Sequence, residues 1–143
     1  MKKKFRSSCM IASALDVIGD KWSLLIVRDM LMHQKKTFKE FASSDERVAS
    51  NLLSSRLKLL QSLDIISKSK STGNKKENIY LLTHRGLDLA PMILELALWS
   101  NKHIREYNSD MNAFVIVESN KKNKIETVQI NYLEFSRQFK INN

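Results

Sequence analysis

The stretch Val48 to Leu63 carries the most distinctive hydrogen-bonding side chains of this sequence. At the helical period its leucines gather on one arc. The opposite arc holds short hydroxyls, amides and a lysine, with no acid: Ser50, Asn51, Ser54, Ser55, Lys58, Gln61 and Ser62. Such a helix can enter a DNA major groove about 12 Å wide, where Asn pairs with adenine and Ser bonds base edges or phosphates. This face predicts contact with a duplex, although the polar face of a bundle helix explains the pattern equally well.

Two predicted helices precede this stretch and decide between those interpretations. Asp20 can cap a helix from Lys21 to Met32, which is apolar almost all round and therefore central to the core. Thr37 and Glu40 have the spacing of a capping box at the start of a short third helix. A short loop then leads to Val48, an arrangement typical of a helix-turn-helix. We therefore interpret Val48 to Leu63 as the recognition helix and include Thr37 among the predicted DNA contacts.

A basic hairpin is predicted directly after the recognition helix. A strand begins at Ile65 and Ile66 with alternating polar residues, the chain turns at Gly73 and Asn74, and NIYLL returns as the partner strand. Its cations are Lys68, Lys70, Lys75 and Lys76. A solvated hairpin could carry the same charges, but their position beside a recognition helix favours a wing that contacts phosphates.

Arg56 lies inside the apolar arc of the recognition helix and needs a partner, because an unpaired buried guanidinium is costly. Two interpretations stay open at this point. Arg56 either forms a structural ion pair, with Asp45 or Glu46 as its partner, or it clamps a DNA phosphate.

Further helices are predicted at both ends of this region. Met10 to Ile18 has helical spacing and ends at Gly19, where a positive φ is expected. Thr83 caps a helix that Gly86 interrupts, and Pro91 suits the first turn of a long helix that runs to about Tyr107. That long helix has an apolar seam suited to a partner helix, with an aromatic anchor beside it: Ile93, Ala97, Leu98, Trp99 and Ile104.

The pattern changes near Asn108. Asn112 to Glu118 and Ile125 to Ile130 are β-branched runs, so they predict a second hairpin, followed by a short helix from Tyr132 to Phe139. We therefore expect a mainly α fold with a small β wing (α+β), divided into a winged-helix domain, 1–107, and a C-terminal extension, 108–143.

Composition narrows the possible functions. The 143 residues carry a net charge of +9, which favours nucleic acid or another anionic partner. Cys9, the single cysteine, excludes an intrachain disulfide and indicates a reducing cytoplasm. No window is apolar enough for a membrane span. The three histidines lack metal-ligand spacing, and no phosphate loop or nucleophile elbow is present, so we expect no cofactor, no metal and no enzyme.

Four segments follow Cys9 in this order: ALDVIGDKWSLLIVRDML, TFKEF, ASNLLSSRLKLL and IYLLTHRGLDLAPMILELALW. Together they resemble the HxlR-type winged-helix transcription regulators of bacteria and archaea, which are related in fold to the MarR type. The resemblance covers about Cys9 to His103. It implies a homodimer on pseudo-palindromic DNA, joined through the first and last long helices, which adds Ile11 and Leu15 to the interface. It matches Ser50, Asn51, Ser54, Ser55 and Arg56 to the family's recognition helix and Thr72 to Glu77 to its wing.

The resemblance also bears on Cys9, because several members use a cysteine at this place to sense electrophiles or oxidants. A helix start beside Lys2, Lys3, Lys4 and Arg6 suits a reactive sulfur, whereas a small buried structural residue is the alternative. This chain departs from the family at Met10, where a proline is common, and in the wing, where Gly73 and lysines replace prolines.

The function predicted from sequence is a double-stranded DNA-binding transcription regulator that responds to redox or electrophile signals through Cys9. The alternatives are a small-molecule-responsive regulator without redox sensing and a winged helix that binds proteins instead of DNA.

Overall fold

Helices build most of the protein, and two strands form its small sheet. The computed structural model describes residues 4–74, 76–112 and 118–140. The elements are α1 (Met10–Ile18), α2 (Lys21–His33), α3 (Phe38–Ala42), α4 (Ser50–Ser62), β1 (Ile66–Lys70), β2 (Asn78–Leu82), α5 (His84–Leu87), α6 (Ala90–His103) and α7 (Lys121–Arg137), with a 3₁₀ helix at Glu118–Asn120. The predicted helix-turn-helix is α3 followed by α4, and the predicted wing is β1 with β2.

Local capping signals fix where the helices of this region begin. The Asp20 carboxylate accepts a hydrogen bond from the Ser23 backbone N–H at 2.9 Å, which starts α2. The Thr37 hydroxyl accepts from the Glu40 N–H at 3.2 Å, and the Glu40 carboxylate accepts in return from the Thr37 N–H at 3.1 Å. The predicted capping box of α3 is thus confirmed.

The core is built around α2, as its apolar circumference predicts. Val27 and Met30 of α2 are fully buried, and the apolar arc of α4 packs into the same cluster through Leu53, Leu57 and Leu60. Since α4 uses its leucines for this contact, its opposite polar face is turned outward.

The wing is an antiparallel pair with Ile66 opposite Leu82 and Lys70 opposite Asn78. Its second strand is buried from Ile79 to Leu82, whereas Ser67, Lys68 and Lys70 of β1 are exposed. β1 is therefore the solvent-facing strand, and its lysines are accessible.

The predicted C-terminal hairpin is wrong. Ile125 to Ile130 lies within α7, which continues through most of the segment that was expected to form a separate helix. The apolar residues Val128, Tyr132 and Phe135 recur at helical intervals, and all three pack in or against the core, as one face of a helix allows. That packing outweighs the β propensity of the branched residues. In the other predicted strand, Asn112 to Glu118, residues 113–117 lie outside the described part of the chain.

Three smaller expectations also need correction. Gly19 has a φ of −73°, so no left-handed residue ends α1. Gly86 lies inside α5 and does not interrupt it; a Cβ there would lie 2.2 Å from the Ile65 carbonyl oxygen, so the glycine permits close packing under the wing. The helix α6 ends at His103, before Tyr107.

Candidate nucleic-acid interface

The polar face of α4 is presented to solvent. Ser50, Asn51, Ser55 and Lys58 are exposed, and Ser54 is half-buried between them. The Asn51 side-chain oxygen accepts a hydrogen bond from the Leu52 N–H at 2.9 Å, in the first turn of the helix. The predicted face thus exists as one continuous surface without an acidic residue, of a size and chemistry suited to base edges and phosphates.

Arg56 is paired with a carboxylate that the sequence did not indicate. Its Nε donates to Asp20 Oδ1 at 3.0 Å, so the suggested partners Asp45 and Glu46 were wrong. Partial burial alone would raise the pKa of Asp20, but hydrogen bonds from Ser23 and the charge of Arg56 outweigh it and hold the pKa below its usual value. The pair ties the recognition helix to the start of α2, which gives Arg56 a structural role independent of any phosphate.

A second ionic cluster braces the turn between α3 and α4. Asp29 of α2 is 2% exposed and accepts hydrogen bonds from Arg28 at 2.7 Å and from Lys35 at 3.3 Å, as well as from the Ser44 hydroxyl. Arg28 also reaches Glu46 in that turn. Burial raises the pKa of Asp29, but its donors outweigh burial, and the pKa lies below the usual value. The cluster fixes the turn and thereby the angle of the recognition helix.

Thr37 does not belong to the exposed face. It is only 7% exposed, and its hydroxyl caps α3.

The neighbouring Lys39 is exposed and lines a cleft of about 360 Å³ between α3 and the wing, together with Phe38 and Lys76. Lys39 is not among the DNA contacts predicted from the sequence. Its place beside the capping box could have indicated it, because the first turn of α3 flanks the recognition helix.

The wing presents three of the four predicted cations. Lys68, Lys70 and Lys76 are exposed, and Lys68 and Lys70 share one face of β1 because residues two apart do so in a strand. Lys75 lies outside the described residues. Lys76 lines the cleft between the wing and α3, and β1, which carries Lys68 and Lys70, packs against α4.

The predicted dimer residues divide into two groups. Ile93 is 9% exposed and belongs to the core cluster, where its exposed part lines the groove between α2 and α6. Ile11 is 72% exposed, Leu15 and Trp99 are exposed as well, and Ala97, Leu98 and Ile104 are half-buried. Between α2 and α6 a groove of about 590 Å³ runs beside Met32, Leu96 and Trp99. Exposed apolar surfaces such as these on α1 and α6 are typical of sites that bind a partner.

Cys9 is exposed, so the interpretation as a buried structural residue is wrong for the single chain. It stands immediately before α1, and its N–H donates to the Ser7 hydroxyl at 3.2 Å. Arg6 of the basic arm is bound to Asp16, so its charge is compensated within α1. The thiol is therefore accessible, and one cation of the arm, Arg6, is paired; Lys2 and Lys3 lie outside the described residues.

Across residues 4–74, 76–112 and 118–140, no three or more His, Cys, Asp or Glu side chains are grouped so that they could hold a metal ion. Within the same ranges, no helix is both long and apolar enough to cross a bilayer.

The order of helices and wing agrees with a known regulator family. The model of the HxlR-like helix-turn-helix family matches residues 17–108. The chain belongs to this family. It is thus an HxlR-like helix-turn-helix transcriptional regulator, a class that binds DNA. Its fold is also similar to that of a solved structure described as a MarR-family regulator.

Similar proteins are regulators as well. The chain is 29% identical to the HTH-type transcriptional regulator YodB of Bacillus subtilis over 90 residues, which cover 63% of this chain and 80% of YodB. Among solved structures it is similar to PA1607, a candidate transcription factor, with 32% identity, a TM-score of 0.67 and coverage of 79% and 76% of the two chains. It is also similar to the redox regulator HypR in its oxidised form, with 26% identity, a TM-score of 0.59 and coverage of 75% and 100%.

Proposed function

We propose that this HxlR-like regulator binds a pseudo-palindromic operator sequence-specifically, as a homodimer. The observation that carries the proposal is the acid-free, exposed face of α4 beside the lysines of the wing. In this arrangement Asn51 and the serines reach base edges, and the wing lysines neutralise the adjacent phosphates. Base contacts supply specificity, whereas phosphate contacts supply most of the salt-dependent affinity.

The homodimer follows from surface chemistry and from the size of one recognition unit. Ile11 and Leu15 on α1 and Trp99 on α6 leave apolar area exposed that a second copy would cover. One α4 reads one half-site, so two-fold pairing doubles the contacts and calls for an inverted repeat with half-sites about 34 to 36 Å apart. The core position of Ile93 moves the proposed interface toward the exposed residues of α6.

Selection of genomic fragments tests this function directly. The purified protein is incubated with sheared DNA from its source, and the bound fragments are sequenced. An enriched inverted repeat with one helical turn between half-sites is the expected result, and sedimentation should show a dimer at micromolar concentration. Fragments without a common repeat, bound no more tightly than random DNA, would contradict operator recognition and favour a winged helix that binds proteins.

We further propose that Cys9 makes operator binding responsive to oxidants. Its exposure before α1 supports this, as does similarity to HypR, a redox regulator, and to YodB, whose structures include a reduced and a diamide-treated form. In a dimer, the two Cys9 thiols would give two protons and two electrons to diamide, which becomes a hydrazine while the sulfurs form an intersubunit disulfide. Such a bond beside α1 would change how the two recognition helices are spaced.

The Cys9→Ser variant separates redox sensing from the alternatives. It should bind the operator as the wild type does, and diamide should shift operator affinity of the wild type alone. Non-reducing electrophoresis should show a covalent dimer in the treated wild type. If diamide modifies Cys9 completely and affinity stays the same, sensing through this residue is refuted, and screening for a small-molecule effector becomes the appropriate experiment.

A further inference from the structure

The last helix, α7, lies beyond residues 17–108 that the family model matches, yet it reaches the base of the wing. Tyr132 of α7 is 1% exposed, and its hydroxyl oxygen accepts a hydrogen bond from the Leu82 N–H at 2.8 Å. Burial raises the pKa of Tyr132 to about 12, so the side chain is neutral at any physiological pH. The contact joins a residue outside the matched domain to the second strand of the wing.

This hydrogen bond completes the outer edge of β2. One side of the strand pairs with β1. On the other side, the Tyr80 N–H donates to the Lys36 carbonyl at 2.7 Å and the Leu82 N–H donates to Tyr132. Alternate backbone donors of a strand point to the same edge, so these two bonds occupy that edge at Tyr80 and Leu82. The base of the wing is therefore held by β1, by the segment before α3 and by α7.

Phe135 of α7 and Phe139 in the turn after it also contact the segment that leads into the helix-turn-helix. The Lys36 ammonium lies 4.9 Å from the Phe139 ring centroid and 6.0 Å from that of Phe135. These distances suit cation–π attraction. Lys36 directly precedes Thr37, the cap of α3. Thus α7 touches both the wing and the start of the helix-turn-helix, the two parts whose relative angle decides whether they can engage one duplex together.

We propose that α7 and the turn after it form a positioning element for DNA binding: Tyr132, Phe135 and Phe139 set the angle of the wing relative to α3 and α4. The inference rests on the proposed contact of the wing with DNA and goes beyond it, because it assigns a role to the segment after the matched domain. Operator affinity should depend on α7 even when the protein stays fully folded.

Tyr132→Phe is the test variant, and Tyr107→Phe is its matched control. The first keeps the ring but leaves the buried Leu82 N–H without its acceptor, whereas Tyr107 is 80% exposed. Both are measured at a temperature where circular dichroism shows them folded. Operator Kd should rise about threefold to tenfold for Tyr132→Phe, the usual range for a residue that acts through its neighbours, and stay unchanged for the control. A lower Tm with an unchanged Kd would overturn the proposal.

A double-mutant cycle shows whether the effect passes through the wing. In a Lys68→Ala, Lys76→Ala background, Tyr132→Phe should have almost no further effect on operator Kd, because the wing contacts it positions are gone. Full additivity would overturn the proposal. Phe139→Leu, which removes the ring beneath Lys36, serves as a second variant if Tyr132→Phe does not fold.

Hydrogen exchange gives a readout that needs no DNA. Tyr132→Phe should speed exchange of the wing amides of β1 and leave those of α4 unchanged. If exchange changes in this way but the wild type selects no operator, the result contradicts the proposed function and leaves positioning by α7 standing. Unchanged wing exchange would count against positioning itself.

Discussion

Replacing two wing lysines tests where the salt dependence of DNA binding arises. Lys68 on β1 and Lys76 at the wing turn are both exposed. Each phosphate contact contributes about −0.9 to the slope of log K against log salt, so Lys68→Ala with Lys76→Ala should make the slope shallower by about 1.8 per subunit. Between salt concentrations of about 0.15 M and about 1 M, this difference corresponds to roughly thirtyfold in affinity per subunit.

The control variant separates local contact from overall charge. Lys122→Ala with Lys124→Ala, in the first turns of α7, lowers the net charge of +9 by the same two charges but lies outside the proposed DNA face. Fluorescence anisotropy with a labelled operator, titrated over a series of salt concentrations, gives both slopes. We expect the control to keep the wild-type slope. Equal slopes for the two variants would refute phosphate contact by the wing and leave only long-range attraction.

Three further predictions concern the recognition helix, the dimer and the buried ionic cluster. Asn51→Ala should cost about 1 to 3 kcal/mol on the operator and little on random DNA, whereas Lys58→Ala should weaken both alike; equal losses for Asn51→Ala would show that it reads no base. Trp99→Glu should shift sedimentation toward monomer and lower operator affinity, because it places a charge in the proposed apolar interface; an unchanged dimer would move the interface elsewhere. Folding lowers the pKa of Asp29, so the ionised carboxylate stabilises the folded protein at pH values above the unfolded pKa of about 3.9. This stabilisation is lost as the pH falls through the folded pKa. Urea unfolding should therefore show Asp29→Asn destabilised by about 1 to 3 kcal/mol at neutral pH and a smaller difference in acid; a constant difference would contradict the linkage.

The helix-turn-helix and wing could be predicted because their signals are local. Asp20 and Ser23, like Thr37 and Glu40, lie three residues apart, within one helical turn, so capping chemistry is visible in the sequence. The alternation after Ile65 and the turn at Gly73 likewise involve neighbouring residues. Such patterns predict an element and its exposed face together.

The ionic contacts that orient α4 could not be predicted in the same way. Arg56 finds its partner 36 residues earlier, at Asp20, while nearer carboxylates are available in the sequence. Asp29 and Ser44 are 15 residues apart. Which charge meets which depends on how α2 packs against α4, and no local pattern carries that information. The exposure of Cys9 and the core position of Ile93 depend on the same packing.

The predicted C-terminal hairpin is wrong because β propensity and helical periodicity conflict in this segment, and the periodicity prevails. Ile125, Thr127, Val128 and Ile130 favour strands by propensity. The helical recurrence of apolar residues extends past them to Tyr132 and Phe135, and it was visible in the sequence. Periodicity over many residues reports on burial, which contributes more free energy than propensity does.

The bond between Leu82 and Tyr132 also has a consequence for synthesis of the chain. The two residues are separated by 50 positions, so β2 leaves the ribosome well before the helix that completes its edge. Until α7 is made, the Leu82 N–H and the apolar surface under α7 have no partner from that helix, and an unpaired donor at a strand edge together with exposed apolar surface favours pairing between nascent chains. Translation that stops after residue 108 should therefore yield chains that contain the whole family match yet aggregate, whereas chains that extend through Arg137 should remain dispersed.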